Sequence, residues 1–260
     1  MRTLVISIFL LVIAAPAAAQ GNARIEAELV EAFKDVRKYS TYVSGGDAEK
    51  LSRANQVFKE KLLKYTEIPS TLAYEFRELD KYMHNAVSED GRLRIYSWDT
   101  EEGGTMRFFD RVYQYRGADG KVYSRSDPPA DEYYPGSFAL KIFHLGTKSG
   151  RIYIVSAMSV GTSIDYYQSA DVYKITGNVL TDRVKVIKTR SGLTNSVGFG
   201  YNLFSAMARR RLPGELISFN RKTKTLKIPV VIKDQEYLAG GITNRSISYR
   251  FNGKYFIKLS

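Results

Sequence analysis

Two imidazoles and no thiol narrow the chemistry open to this chain before any element is placed. His84 and His144 are the only histidines, and cysteine is absent. Thiol nucleophiles, thiolate metal sites and redox pairs are therefore excluded. A serine hydrolase needs a base beside its nucleophile. No Gly-x-Ser-x-Gly elbow occurs, and no serine stands three residues before a lysine. A zinc site without cysteine needs several converging His or carboxylate ligands, and two histidines do not supply them. His144 falls on the Phe138, Leu140 and Ile142 face of a predicted strand, and His84 closes a short predicted helix, so both read as structural. Ser88-Glu89-Asp90-Gly91 lacks the alternating oxygen ligands of a calcium loop and reads as a hairpin turn. Gly198-Phe199-Gly200 lacks the glycine-rich continuation and the lysine of a phosphate loop. No metal and no cofactor is expected.

Two groups of residues remain. The first is acidic: Asp99, Glu101 and Glu102 follow Trp98, and Asp110 lies on the next predicted strand. A glycosidase needs two carboxylates at a fixed separation across a sugar, often beside an aromatic platform, and Trp98 with Asp99 is a partial match. The plainer reading is a solvated turn in which Asp99 bonds its own backbone ahead of Gly103-Gly104. The second group is cationic. Arg209, Arg210 and Arg211 form a compact triple, and Arg221, Lys222, Lys224 and Lys227 follow in a predicted hairpin, with Phe204 and Phe219 interleaved. Arginine holds phosphate or carboxylate in a two-pronged grip. Charge alone also serves solubility and protects strand edges from pairing.

The bulk charge favours the cationic group. The whole chain is +12, and residues 181–260 carry 16 Lys and Arg against 4 Asp and Glu. Nearly all the excess positive charge therefore sits in the last eighty residues. Such an asymmetry predicts an anion-attracting surface.

The elements that must position these residues can be read from periodicity. Ile25, Leu29, Ala32, Phe33, Val36 and Tyr39 make one helical stripe over 24–40. After Gly45-Gly46, Asp47 caps a second helix over 48–65 with a Leu51, Ala54, Phe58, Leu62 and Tyr65 stripe. The short connection makes an antiparallel pair. Leu72, Phe76, Leu79 and Met83 predict a further short helix, although Leu72, Tyr74 and Phe76 also alternate as a strand does. From about residue 86 the period becomes two. Strands are predicted at 93–98, 107–115, 138–145, 151–157, 164–175, 183–188, 215–219, 225–232, 245–251 and 254–259. Asp90-Gly91, Asp119-Gly120 and Asn252-Gly253 read as two-residue hairpin turns.

The first nineteen residues read as a removable signal peptide. Arg2 precedes an apolar run over 4–15, and Ala17-Ala18-Ala19 offers the small-residue cleavage site. The run is shorter than the ~20 residues a membrane span requires. The mature chain is thus expected to be periplasmic or secreted.

The phrase Arg94-Ile95-Tyr96-Ser97-Trp98-Asp99-Thr100, continuing through Gly103-Gly104-Thr105-Met106, resembles a hairpin found in uncharacterised exported bacterial proteins. That resemblance implies no activity. Arg94-Ile95-Tyr96 with Gly104-Thr105 also recurs as Arg151-Ile152-Tyr153 with Gly161-Thr162, a period of 57 residues. Val112-Tyr113 and Val172-Tyr173 nearly keep the same step. The pattern predicts repeated blade-like units near 88–145, 146–200 and 212–260.

Together these features predict an α+β chain. A helical pair over 20–67 precedes a mostly antiparallel β-rich region over 68–260, arranged as propeller-like repeats, an open stack or a β-sandwich. The function expected is non-enzymatic binding, with Arg209, Arg210, Arg211, Lys222 and Lys224 as donors. Outside the cytoplasm the partner is an anionic envelope polymer, lipid or acidic glycan, and nucleic acid is not the physiological one. Two alternatives stand beside it: a carbohydrate-active hydrolase built on Asp99 near Trp98, and an assembly module that adds strands through an exposed sheet edge.

Overall fold

A computed structural model describes residues 14–128, 134–182, 184–233 and 235–259. The chain opens with α1 (Ala14–Lys38) and α2 (Ala48–Thr66), which pack together. Asp47 accepts a bond from the Lys50 amide and caps α2. The expected cleavage site after Ala19 falls inside α1, and residues 1–13 of the leader lie outside the described residues. Residues 19–21 are exposed, and from Ala19 onward the first buried side chain of α1 is Asn22.

The single helix expected after Pro69 is instead two 3-10 turns, Pro69–Leu72 and Leu79–Lys81. Tertiary partners take the backbone groups that a continuous helix would pair internally. The buried Glu26 carboxylate accepts the Glu78 and Leu79 amides, and the Arg94 guanidinium donates to the Thr71 and Tyr74 carbonyls. His84 begins a strand rather than ending a helix, and its ring stacks on Phe138 at 4.1 Å.

The described strands form three mostly antiparallel sheets. The first is a meander of β1 (His84–Val87), β2 (Leu93–Asp99), β3 (Phe109–Arg116) and β4 (Val122–Ser126). The second contains β5 (Phe138–Thr147), β6 (Gly150–Val160) and β7 (Asp165–Thr176), with β8 (Val179–Thr181) folded back on β7. The third begins with β9 (Ile187–Thr189) and β10 (Gly192–Thr194). The chain then returns as β11 (Ser196–Asn202) to the second sheet, whose order is β11-β7-β6-β5. Two short helices, α3 (Leu203–Ala208) and α4 (Pro213–Leu216), lead to β12 (Ser218–Asn220), β13 (Thr225–Ile232), β14 (Gly241–Phe251) and β15 (Phe256–Lys258). These complete the third sheet in the order β10-β9-β15-β14-β13-β12, its one parallel pair being β15 with β9.

Alternation along the strands stacks these layers. Tyr96, Trp98 and Val112 face the helices and join Leu29, Phe33, Phe58 and Leu62. Ile95 and Tyr113, on the opposite face, meet Tyr153, Val155 and Tyr173 of the second sheet. Ile152, Ile154 and Val172 turn the other way, toward Leu226, Tyr249, Phe251 and Phe256 of the third. The second sheet is therefore apolar on both faces, as a central layer must be. The order is helices, first sheet, second sheet, third sheet.

The recurring tripeptides occupy matching places. Arg94-Ile95-Tyr96 lies on the second strand of the first meander, and Arg151-Ile152-Tyr153 on β6, the second strand of the next. Each isoleucine faces the following layer and each tyrosine the preceding one. The match then lapses. Val112 faces the preceding layer, whereas Val172 faces the following one. Val112 and Val172 are 60 residues apart rather than 57, and an odd difference of three inverts the faces of a strand.

Candidate functional site: the outer face of the third sheet

The expected acidic site is a set of structural ties. Trp98 is 1% exposed, its ring lies edge-on to Phe58 at 5.1 Å, and its indole N–H donates to Asn55. It offers no face to a sugar, because the α2 stripe covers it. Asp99 accepts the Tyr42 hydroxyl at 2.9 Å, the Glu101 amide at 2.8 Å and Arg107 at 3.0 Å. The Arg107 guanidinium in turn sits 3.9 Å above the Tyr42 ring. Glu101 is buried, pairs with Arg37 at 2.8 Å and takes the Thr41 amide and hydroxyl on its carbonyl. Asp110 pairs with Lys59 at 3.2 Å. Partial burial raises the Glu102 carboxyl above its ordinary value. Asp99, Glu101 and Asp110 thus each hold a cation between elements. Together they fix the α1–α2 connection and α2 to the first sheet. Among the described residues, no three His, Asp or Glu side chains gather as metal ligands.

The cationic residues are divided between two places. Arg209, Arg210 and Arg211 close α3 beside the Ile242 end of β14, where the Arg209 Nε donates to the Ile242 carbonyl. Lys222 and Lys224 lie in the β12–β13 hairpin at the far end of the same sheet. Six residue steps of β13, from Thr225 to Val231, separate the two places by roughly 20 Å. Sequence proximity does not bring the two groups together.

Register assembles a different set around Lys222 and Lys224. Phe219, Leu226, Tyr249, Phe251, Phe256 and Ile187 point toward the second sheet. Their strand neighbours must point outward. Cross-strand pairing aligns Asn220, Thr225, Arg250, Ile257, Lys188 and Leu193 in one outward row. Ser218, Lys227 and Ser248 form a second. Neither row contains an acidic residue. Lys188, Lys227 and Arg250 are exposed, and none forms an ion pair with a described residue. A concavity of 630 Å³ lies on this face, lined by Ser218, Thr223, Thr225, Ser248, Lys227 and Arg250 among others. Thr223 stands between Lys222 and Lys224, so the hairpin lysines flank it.

Lys224 adopts φ +52, a left-handed conformation that glycine takes without strain. A second concavity of 530 Å³ opens between the hairpin ends of the second and third sheets, lined by Lys148, Lys174 and Lys254 with Ile152, Val186 and Phe251. Thr225 is buried and its hydroxyl donates to the Thr223 carbonyl, but the Ser218 and Ser248 hydroxyls and the cations of the outer face can donate to phosphate, sulfate or carboxylate oxygens without deprotonation chemistry.

The basic run of the sequence takes in Lys227 but neither Arg250 nor Lys188. Their alternation with buried residues was visible, but their alignment with Lys227 depends on which strands pair. His144 points toward the first sheet rather than into a catalytic group. Partial burial pulls its imidazole below the usual value, and Arg221 stands 3.5 Å from its Nδ1.

No protein-family model matches this chain, and no characterised sequence or solved structure is similar enough to be named as a relative. No described helix is long and apolar enough to cross a membrane.

Proposed function

We propose that this chain is a non-enzymatic binding module of the bacterial envelope or exterior, and that it holds an anionic polymer, such as an acidic glycan, across the outer face of the third sheet. The observation that carries the reading is the pair of outward rows, which gather Lys188, Lys227, Arg250 and several hydroxyls with no acid between them. A polymer suits an open face better than a small ligand does, because small ligands favour deep, largely apolar enclosures. Lys222 and Lys224 extend the positive field at the hairpin edge, and Ile257 and Leu193 supply apolar contact. Export is supported by the leader pattern and by the exposure of residues 19–21 around the expected cleavage point.

Two other readings are weaker. Glycoside hydrolysis lacks its platform, because Trp98 is enclosed. Strand addition to the third sheet is disfavoured because its edge strands, β10 and β12, are three residues each.

The test is the salt concentration that elutes the protein from heparin–agarose and from immobilised polygalacturonate. Lys227→Glu with Arg250→Glu should elute at much lower salt than the wild type. Arg210→Glu with Arg211→Glu changes net charge by the same amount and should shift elution far less. Equal shifts from the two pairs would reduce the interaction to net charge and remove the site.

A further inference from the structure

The arginine triple has its own surroundings, remote from the polymer face. α3 buries Ser205 and Ala206 against β11 and β14, and the Ser205 hydroxyl accepts the Ile242 amide. Its other side is bare: Phe204 is 56% exposed and Met207 59%. They stand three residues apart, so they share one helical face. Leu212, 66% exposed, follows directly after the arginines. The Asn202 amide bonds the Gly240 carbonyl, which brings in the loop carrying Leu238, 79% exposed.

The backbone at the arginines is held in place. Arg211 N–H donates to the Ala206 carbonyl and Arg210 N–H to the Met207 carbonyl, the bond pair of a Schellman ending. The central residue of that motif is ordinarily glycine, because it adopts a left-handed conformation. Here it is Arg210, at φ +53. A strained position thus carries a charge where an unstrained residue would serve the fold better. Neither Arg210 nor Arg211 forms an ion pair with a described residue.

Bare Phe, Met and Leu side chains beside unpaired arginines have the composition of a membrane-surface contact. We infer that the α3 turn is a docking knuckle for an anionic lipid bilayer: Phe204, Met207 and Leu212 enter the headgroup–acyl boundary while Arg210 and Arg211 hold lipid phosphates. Charge complementarity selects the lipid over an apolar protein partner, since basic residues next to apolar ones are attracted to a negatively charged leaflet. This inference does not depend on the polymer reading, because it uses none of the outward-row residues.

The experiment is co-sedimentation of the full chain with phosphatidylglycerol–phosphatidylcholine vesicles and with pure phosphatidylcholine vesicles. Binding to the anionic vesicles should fall roughly tenfold or more in Phe204→Ser with Met207→Ser, and similarly in Arg210→Glu with Arg211→Glu. Leu212→Trp should report insertion as a blue shift of emission on anionic vesicles, against a Trp98 signal that is already buried. Arg210→Gly guards against misfolding: it should melt higher than the wild type yet bind the vesicles more weakly. The inference is overturned if the anionic vesicles are not bound. It is equally overturned if the Phe204 and Met207 variant binds them as the wild type does, which would assign adsorption to general positive charge.

Discussion

The two ends of the layered stack treat the same problem in opposite ways. At one end the outer face of the first sheet is covered by α1 and α2, and Tyr96, Trp98 and Val112 are sealed beneath them. At the other end no described element covers the outer face of the third sheet, which presents Lys227, Arg250 and Lys188. A sheet face that will be buried can be apolar; a face left to water must be polar or reserved for a ligand. The covered end carries its charges as ion pairs between elements, such as Arg37 with Glu101 and Lys59 with Asp110. The bare end carries cations without acids, an arrangement that adds little to folding and is suited to attracting an anion.

This contrast breaks most clearly at its covered side. Trp98→Ala removes a sealed indole, its contact with Phe58 and its bond to Asn55, and should cost ~3–5 kcal/mol in a urea titration. Leu259→Ala, at the bare end, should cost no more than about 0.5 kcal/mol in the same measurement. Comparable losses from the two variants would mean that something covers the third sheet.

A second variant separates stability from charge. Arg210→Gly relieves a left-handed backbone and should stabilise the fold by about 0.5–1 kcal/mol, read as a higher melting temperature. Lys224→Gly, at φ +52, should behave in the same direction. A gain in stability at both positions would show that charge is kept there against the preference of the backbone.

The smallest effect concerns the junction between the first and second sheets. Burial works against charge on Asp90, but bonds from the Ser88 hydroxyl, the Arg92 amide and the Arg151 guanidinium more than offset it and leave the carboxyl below its ordinary value. The Tyr153 hydroxyl also donates to it. A depressed folded-state pKa stabilises the fold above the unfolded-state value, and that stability is lost as pH falls through the folded-state value. Stability should therefore decline below the ordinary carboxylate range, and Asp90→Asn should flatten that part of the pH profile. An unchanged acid limb in Asp90→Asn would place the loss at other carboxylates.

Local sequence carried much of the architecture. The Leu51, Phe58 and Leu62 stripe lies buried in α2, and the Asp90-Gly91, Asp119-Gly120 and Asn252-Gly253 turns each join two adjacent strands. The strand expected at 225–232 has those bounds in β13. What escaped were elements whose reasons are not local. β1 and β4 are short edge strands without a clean alternation, and β11 contains Gly198 and Gly200, which weaken any strand signal. The candidate site was half legible. Lys222 and Lys224 stand out as charges in a run, whereas Arg250 and Lys188 become their neighbours only through the β13–β14–β15–β9 pairing.

Composition and periodicity by themselves settled that the chain has two amphipathic helices followed by many short strands, that it has no thiol, and that its positive charge is gathered at the C-terminal end. These are properties of single residues and their nearest neighbours, so they need no knowledge of the fold. Tertiary structure alone decided that Trp98 is sealed, that the arginine triple and the lysine hairpin stand at opposite ends of one sheet, and that three cations from three strands share an open face. Those facts depend on which strands pair and which face receives a covering layer, and contacts between distant segments set both.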